Sequence, residues 1–214
     1  MRFALIGLLA LFSLPAHAQS ITIGGNQDTD DAFTNYVQPG IAAGINGNYD
    51  RDIADQTTAL GLMPTMVAAH YERDIAYLHE SKWGNAIVDF TAVLTAPPSP
   101  QRPQNMVAEA YHWRGTAYAA KGDLPSALAD FNQALKINPS DKYFLNSRGL
   151  LYFFQKNYDA AIADYTTALQ IDPKFSYALY GKGAAEQAKG SSTGAQDMAD
   201  AKAMNPKAGV MFGQ

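Results

Sequence analysis

Apolar positions in the second half of the chain recur at steps of four and three. Ala127, Phe131 and Ala134 follow this spacing, and so do Ala161, Tyr165 and Ala168. Such spacing places each trio on one face of a helix with about 3.6 residues per turn. The composition is rich in Ala and Tyr, β-branched runs are few, and the pattern predicts helices throughout.

The helical pattern is itself periodic. Asn48 to Leu60 reads almost residue for residue as Asn157 to Leu169, at an offset of 109. Shorter copies lie between them, Trp83 to Phe90 and Asp123 to Phe131. Each copy is followed by a proline, Pro64, Pro98, Pro139 and Pro173, and Pro206 continues the series at intervals of 34, 41, 34 and 33 residues. The odd interval contains a proline-rich stretch, 97 to 104, which lengthens one loop between repeats without disturbing the helices. The underlying period is therefore 34 residues, with one residue lost in the last unit.

At that period the columns alternate between large and small. In the leading helix of each unit the small residue is Gly115, Gly149 and Gly183, with Tyr118 and Tyr152 three positions on. In the trailing helix Ala86, Ala127 and Ala161 precede Phe90, Phe131 and Tyr165 by four, and Ala59, Ala134, Ala168 and Ala201 form the next small column. Large against small lets two helices interlock at close range. In these columns the chain resembles the tetratricopeptide-repeat (TPR) family, whose unit is a pair of antiparallel helices. The resemblance implies an all-α, right-handed αα-superhelical solenoid of about five units, near 33–66, 67–107, 108–141, 142–175 and 176–208, with a short tail at 209–214. Terminal units depart from the columns. Asp52 and Gln56 stand where Ala and an aromatic belong, Asp74 replaces the glycine, and Glu186, Gly194 and Met198 replace tyrosine, alanine and an aromatic. Pro39 lies where the first leading helix should run, so that helix is expected to be short or broken.

The first residues add a location. Arg2, an apolar run from Phe3 to Leu14, Pro15 and the small residues Ala16 and Ala18 have the layout of a secretory signal peptide, predicted at 1–18 and removed before Gln19. That run is too short to span a bilayer, which takes about 20 apolar residues. The mature chain is expected in the periplasm or outside the cell, with no membrane attachment. Residues 19–32, including Gly24, Gly25 and the acidic stretch to Asp31, read as a flexible leader.

Charge and chemistry narrow the function further. A formal net charge of -4 without a basic block argues against nucleic acid. The absence of cysteine removes disulfides, thiolate metal sites and thiol nucleophiles. Gly190 to Gly194 matches the G-x-S-x-G nucleophile elbow but follows a predicted helix and not a strand, so it reads as a turn. Asn26, Asp28 and Asp30 begin like a calcium loop, yet Asp31 and Val37 occupy the positions that need glycine and glutamate. Gly181-Lys182-Gly183 lacks the third glycine of a dinucleotide fingerprint, and Trp83 replaces the second histidine of a zinc motif after His79-Glu80. No catalytic, cofactor or metal site is predicted.

Two surface features remain. Arg73, Arg114, Arg148 and Lys182 precede the small residue of the leading helix, and Asp55, Asp89, Asp130, Asp164 and Asp197 precede the large residue of the trailing one. A ladder of ion pairs between helices is expected. The resemblance also implies a concave groove lined by leading helices, with Tyr71, Leu78, His112, Trp113, Tyr143, Phe153, Phe154, Tyr177 and Tyr180 on or near it. A protein or peptide is the expected occupant; a small-ligand binder or enzyme using the same groove is the alternative. The carboxylate clamp of the chaperone-binding subclass is missing, since Tyr71, Ile75, Trp113, Tyr143 and Ser147 hold its positions.

Overall fold

The protein is described here from a computed structural model, in which residues 27 to 212 are placed. The predicted signal peptide and the leader up to residue 26 lie outside the described residues. Within them every regular element is helical.

The chain runs through α1 (Gln27–Ala32), a π-helical turn (Phe33–Val37), α2 (Gln38–Ile45), α3 (Tyr49–Leu62), α4 (Val67–His79) and α5 (Trp83–Thr95). It continues through α6 (Gln104–Lys121), α7 (Leu124–Ile137), α8 (Lys142–Phe154), α9 (Tyr158–Ile171), α10 (Ser176–Ala188), α11 (Gly194–Met204) and a final 3-10 turn (Val210–Phe212). None of these helices is long and apolar enough to cross a membrane. Part of the leader expected at 19–32 is helix, since α1 covers its last six residues and Ala32 is buried beside Val37 and Ile41.

Helix boundaries follow from local chemistry. The carboxamide oxygens of Asn48 and Asn157 and the carboxylate of Asp123 accept the amides of Arg51, Ala160 and Ser126 at 3.2, 3.4 and 3.2 Å, capping α3, α9 and α7. The turn ahead of each trailing helix contains a residue with positive φ: Gly47 (77°), Ser81 (56°), Gly122 (88°), Lys156 (60°) and Gly190 (89°). Three of the five are glycine, for which this conformation carries no Cβ penalty. The predicted break at Pro39 takes a specific form. Proline cannot donate to the helical ladder, and just ahead of it the Gln38 amide bonds Phe33 O, five residues back, so the chain widens into a π turn and then resumes as α2.

Of the described residues, 27 to 117 form one compact unit and 118 to 212 another. In the N-terminal unit α2 packs on α3, α3 on α4 and α4 on α5. Ala86 and Phe90 of α5 are fully buried, and Val37, Ile41, Ala59, Leu60, Met66 and Ala69 fill the interior nearer the start.

In the C-terminal unit α7 packs on α8, α8 on α9, α9 on α10 and α10 on α11, and α10 also meets α8. The large-against-small rule is plainest at Tyr165. A Cβ placed on Gly149 would lie 2.9 Å from its ring, and one on Gly181 2.4 Å, so the ring of α9 occupies space that glycines leave open on α8 and α10. The last crossing is closer still. A Cβ on Gly194 would come within 2.2 Å of the Gly183 carbonyl oxygen, which explains glycine there where other units carry alanine.

Candidate functional site

The ion-pair ladder forms in both units. Arg73 Nε and Nη2 donate to the two oxygens of Asp89 at 2.7 and 2.8 Å. Arg148 does the same to Asp164 at 2.8 and 2.7 Å, and Lys182 reaches Asp197 at 2.7 Å. A planar guanidinium meeting both carboxylate oxygens is the stronger geometry, so the arginine rungs are fixed in orientation and the lysine rung is not. Asp55 faces Arg51 of its own helix at 3.5 Å, because its unit supplies no cation in the column.

The arginines also do something the sequence did not suggest. The second arm of Arg73 donates to Thr57 Oγ1 at 3.0 Å, that of Arg148 to Asn132 Oδ1 at 2.8 Å, and Arg114 donates to Thr91 Oγ1 at 3.1 Å. Thr57, Thr91 and Asn132 each lie two residues after a ladder aspartate, in the trailing helix of the preceding repeat. Each arginine therefore stitches one repeat to the one before it. The signal was present in the sequence as a Thr or Asn column, but without a structure nothing marked it as an acceptor. These guanidinium groups are tied into packing between helices and between repeats.

The nine aromatic and apolar residues expected on the groove separate into two sets. In the N-terminal unit Tyr71, Leu78, His112 and Trp113 are all buried. Tyr71 donates its hydroxyl to Glu109 Oε2 on α6 at 2.6 Å, and burial together with that carboxylate holds its phenol well above the usual range. His112 lies against Trp113 with ring centroids 4.6 Å apart, and burial pushes its imidazole down to about 3, so it is neutral at physiological pH.

In the C-terminal unit Tyr180 is buried as well, for a reason the sequence concealed. Of the tail predicted at 209–214, the residues up to 212 fold back, and Phe212 packs against Tyr180 at 5.2 Å and Phe153 at 5.0 Å, with Gly209 also against the Tyr180 ring. Tyr71, Leu78, His112, Trp113 and Tyr180, expected on or near the groove, are thus placed in the interior by the structure and offer no open surface there. Replacing Trp113 and Tyr180 by alanine therefore probes stability first.

Tyr143, Phe153, Phe154 and Tyr177 keep exposed surface, Tyr143 the most at 40%. At the start of α8 the Tyr143 ring meets Phe175 edge-on at 5.4 Å, Phe175 meets Tyr177 at 5.9 Å, and the Lys142 ammonium lies 5.2 and 5.1 Å from the first two rings. At its end Phe153 and Phe154 meet edge-on at 5.6 Å. Ser147 and Leu150, between them on the predicted stripe, are buried. Two aromatic clusters thus flank one helix, separated along its axis by 11 residues, about 16 Å.

The rejected motifs have ordinary explanations. Ser191 to Thr193 form the turn between α10 and α11, with Thr193 Oγ1 donating to Glu186 Oε2 at 3.0 Å and no strand ahead of it. Among the described residues no group of three or more His, Asp or Glu side chains is placed to hold a metal ion.

A chain of capped helix pairs with large-small columns and a cation-aspartate ladder defines a TPR-type helical solenoid fold. Residues 108–141 and 143–175 each match the tetratricopeptide repeat family model. The chain is 31% identical over 116 residues to human (Homo sapiens) tetratricopeptide repeat protein 13, an alignment covering 52% of this chain and 13% of that protein. It thus spans only a small part of this relative's length. Among solved structures it is similar to MamA from Desulfovibrio magneticus, with a TM-score of 0.71 at 16% identity over 83% of this chain and 97% of that one. It is also similar to YrrB, described as a TPR protein with an unusual peptide-binding site, with a TM-score of 0.65 at 18% identity over 86% and 96% of the two chains. A TPR protein from Parabacteroides merdae gives 0.66 at 19% identity over 88% and 77%. Together these show the tetratricopeptide-repeat fold, with the family model matched over two repeats.

Proposed function

We propose that the protein is a non-catalytic scaffold that holds a protein or peptide on the leading-helix face of its TPR array. The observation that carries this reading is the pair of aromatic clusters at the two ends of α8, which leave Tyr143, Phe154 and Tyr177 partly open to solvent. Exposed aromatics that are already held by neighbours lose little entropy on binding, and such residues are enriched where interfaces concentrate their energy. The fold likeness to YrrB, itself described as peptide-binding, favours the same reading. In the same unit the buried Leu150 and Tyr180 back these rings. Clusters about 16 Å apart suit apolar side chains about five residues apart in an extended peptide, which rises about 3.3 Å per residue.

The protein works after export in this proposal, in the periplasm or outside the cell. The mass of the protein recovered from its own cells is expected to correspond to a chain starting at Gln19, and an intact Met1 on the recovered chain would remove the export claim. Recovery of a tagged copy from that compartment tests the scaffold itself. A stoichiometric polypeptide is expected, lost at least severalfold in the Tyr143→Ala/Phe154→Ala double variant with helix content unchanged. A discrete small molecule in its place would overturn the reading.

A further inference from the structure

The N-terminal unit buries carboxylates that nothing neutralises. Asp74 of α4 stands in the column that is glycine in later units, it is 0% exposed, and neither of its oxygens has a hydrogen-bond partner. Asp52 of α3 is also buried, its Oδ1 accepting from Gln56 Nε2 at 3.0 Å, while the Gln56 carbonyl oxygen is buried and unpartnered. Gly44 of α2 approaches so closely that a Cβ there would lie 2.4 Å from Asp52 Oδ2. His70, one turn before Asp74 on α4, faces an acceptor with each ring nitrogen: Nδ1 lies 2.9 Å from Asp89 Oδ1 and Nε2 2.9 Å from the Pro64 carbonyl oxygen.

We propose that helices α3 to α5 form an acid-tightened element, in which protons taken up by Asp74 and Asp52 relieve charge buried between α4 and its neighbours. At neutral pH the ionised carboxylates loosen the packing of α4 against α3 and α5.

The charges around these groups agree in direction. For Asp74, burial comes first, then Asp89 across on α5 and Glu72 on α4; together they raise its carboxyl well above the ordinary range, opposed more weakly by the Ile75 amide and Arg73. On α6, Glu109 accepts from Tyr71 and Arg114 donates to Thr91. For Asp52, burial raises the carboxyl to about 6, the Gln56 bond opposes this, and Asp55 adds to it. The π turn and α2 bring no charged side chain toward it, since Phe33 to Ile45 contains none.

A carboxyl raised on folding favours the fold most below its unfolded value, near 3.9, and loses that advantage as pH rises through the folded value. For Asp52 the loss is centred on about pH 6. Asp89 works the other way. Although burial opposes it, bonds from Arg73 and His70 hold its carboxyl below the usual range, so its contribution is lost only in stronger acid. The unit is therefore expected to be tighter at about pH 5 than at neutral pH.

Amide hydrogen exchange of the full chain, corrected for the intrinsic effect of pH, reads this directly. Amides of α4 and α5 are expected to be at least about tenfold better protected at pH 5 than at pH 7.5, from the shift at Asp52 alone. Asp74→Asn and, separately, Asp74→Ala are expected to raise protection at pH 7.5 by about tenfold or more and to shrink the difference between the two pH values. Equal protection of the wild-type protein at both pH values would overturn the proposal. So would folded variants no better protected than wild type at pH 7.5, or loss of the fold in both, since ionised Asp74 is the unfavourable group here.

Discussion

Asp164→Ala is expected to destabilise the C-terminal unit by about 3 kcal/mol, because it strips Arg148 of both its carboxylate bonds in a largely buried setting. Most of that cost is the unanswered guanidinium and not the net worth of the pair, which a buried ion pair repays only partly against its desolvation. The Arg148→Ala/Asp164→Ala double variant is therefore expected to lose less than the sum of the two single changes. Arg148 also holds Asn132 on the preceding repeat, so Arg148→Ala additionally loosens α7 from α8. Thermal or denaturant unfolding of the four proteins measures the coupling, and strict additivity would show the rung to be ornamental.

The second large effect lies at Tyr165, whose ring is wholly buried between the glycine faces of α8 and α10. Tyr165→Ala leaves a cavity that two neighbouring helices cannot collapse into together, at an expected cost of about 3–5 kcal/mol. Tyr165→Phe separates the ring from its hydroxyl. That hydroxyl is buried without a hydrogen-bond partner, and burial keeps it un-ionised, so its removal is expected to be neutral or stabilising by up to about 1 kcal/mol. Denaturant unfolding distinguishes the two. A Phe variant as damaged as the Ala variant would mean the hydroxyl has a partner that the packing argument lacks.

The repeat was legible because packing repeats its chemistry. Gly149, Ala161 and Tyr165 recur in other units as the same sizes at the same spacing, and Arg148 and Asp164 recur as the same charges, so periodicity alone paired the helices and predicted the rungs. Exposure was much less legible. The period places Tyr71, Trp113 and Tyr180 on the face of a leading helix, but a residue on that face is buried or open according to what the chain lays over it. For Tyr180 the cover comes from the end of the described chain, where Gly209 and Phe212 meet its ring, a stretch too short for any pattern. Asp74 was visible as a departure from the glycine column, and read there as a worn repeat; only its lack of partners shows it as a buried charge. The π turn before Pro39 was visible as a break, but a proline does not say how a helix accommodates it.

The claim that most needs testing is that the open rings at the ends of α8 hold a polypeptide. Native mass spectrometry of the tagged protein recovered from its own compartment, wild type beside Tyr143→Ala/Phe154→Ala, addresses it in one measurement. The scaffold reading predicts a discrete polypeptide bound in simple ratio to the wild-type chain and depleted at least severalfold from the equally helical variant. A bound small molecule in place of the polypeptide, or undiminished capture by the variant, would contradict it.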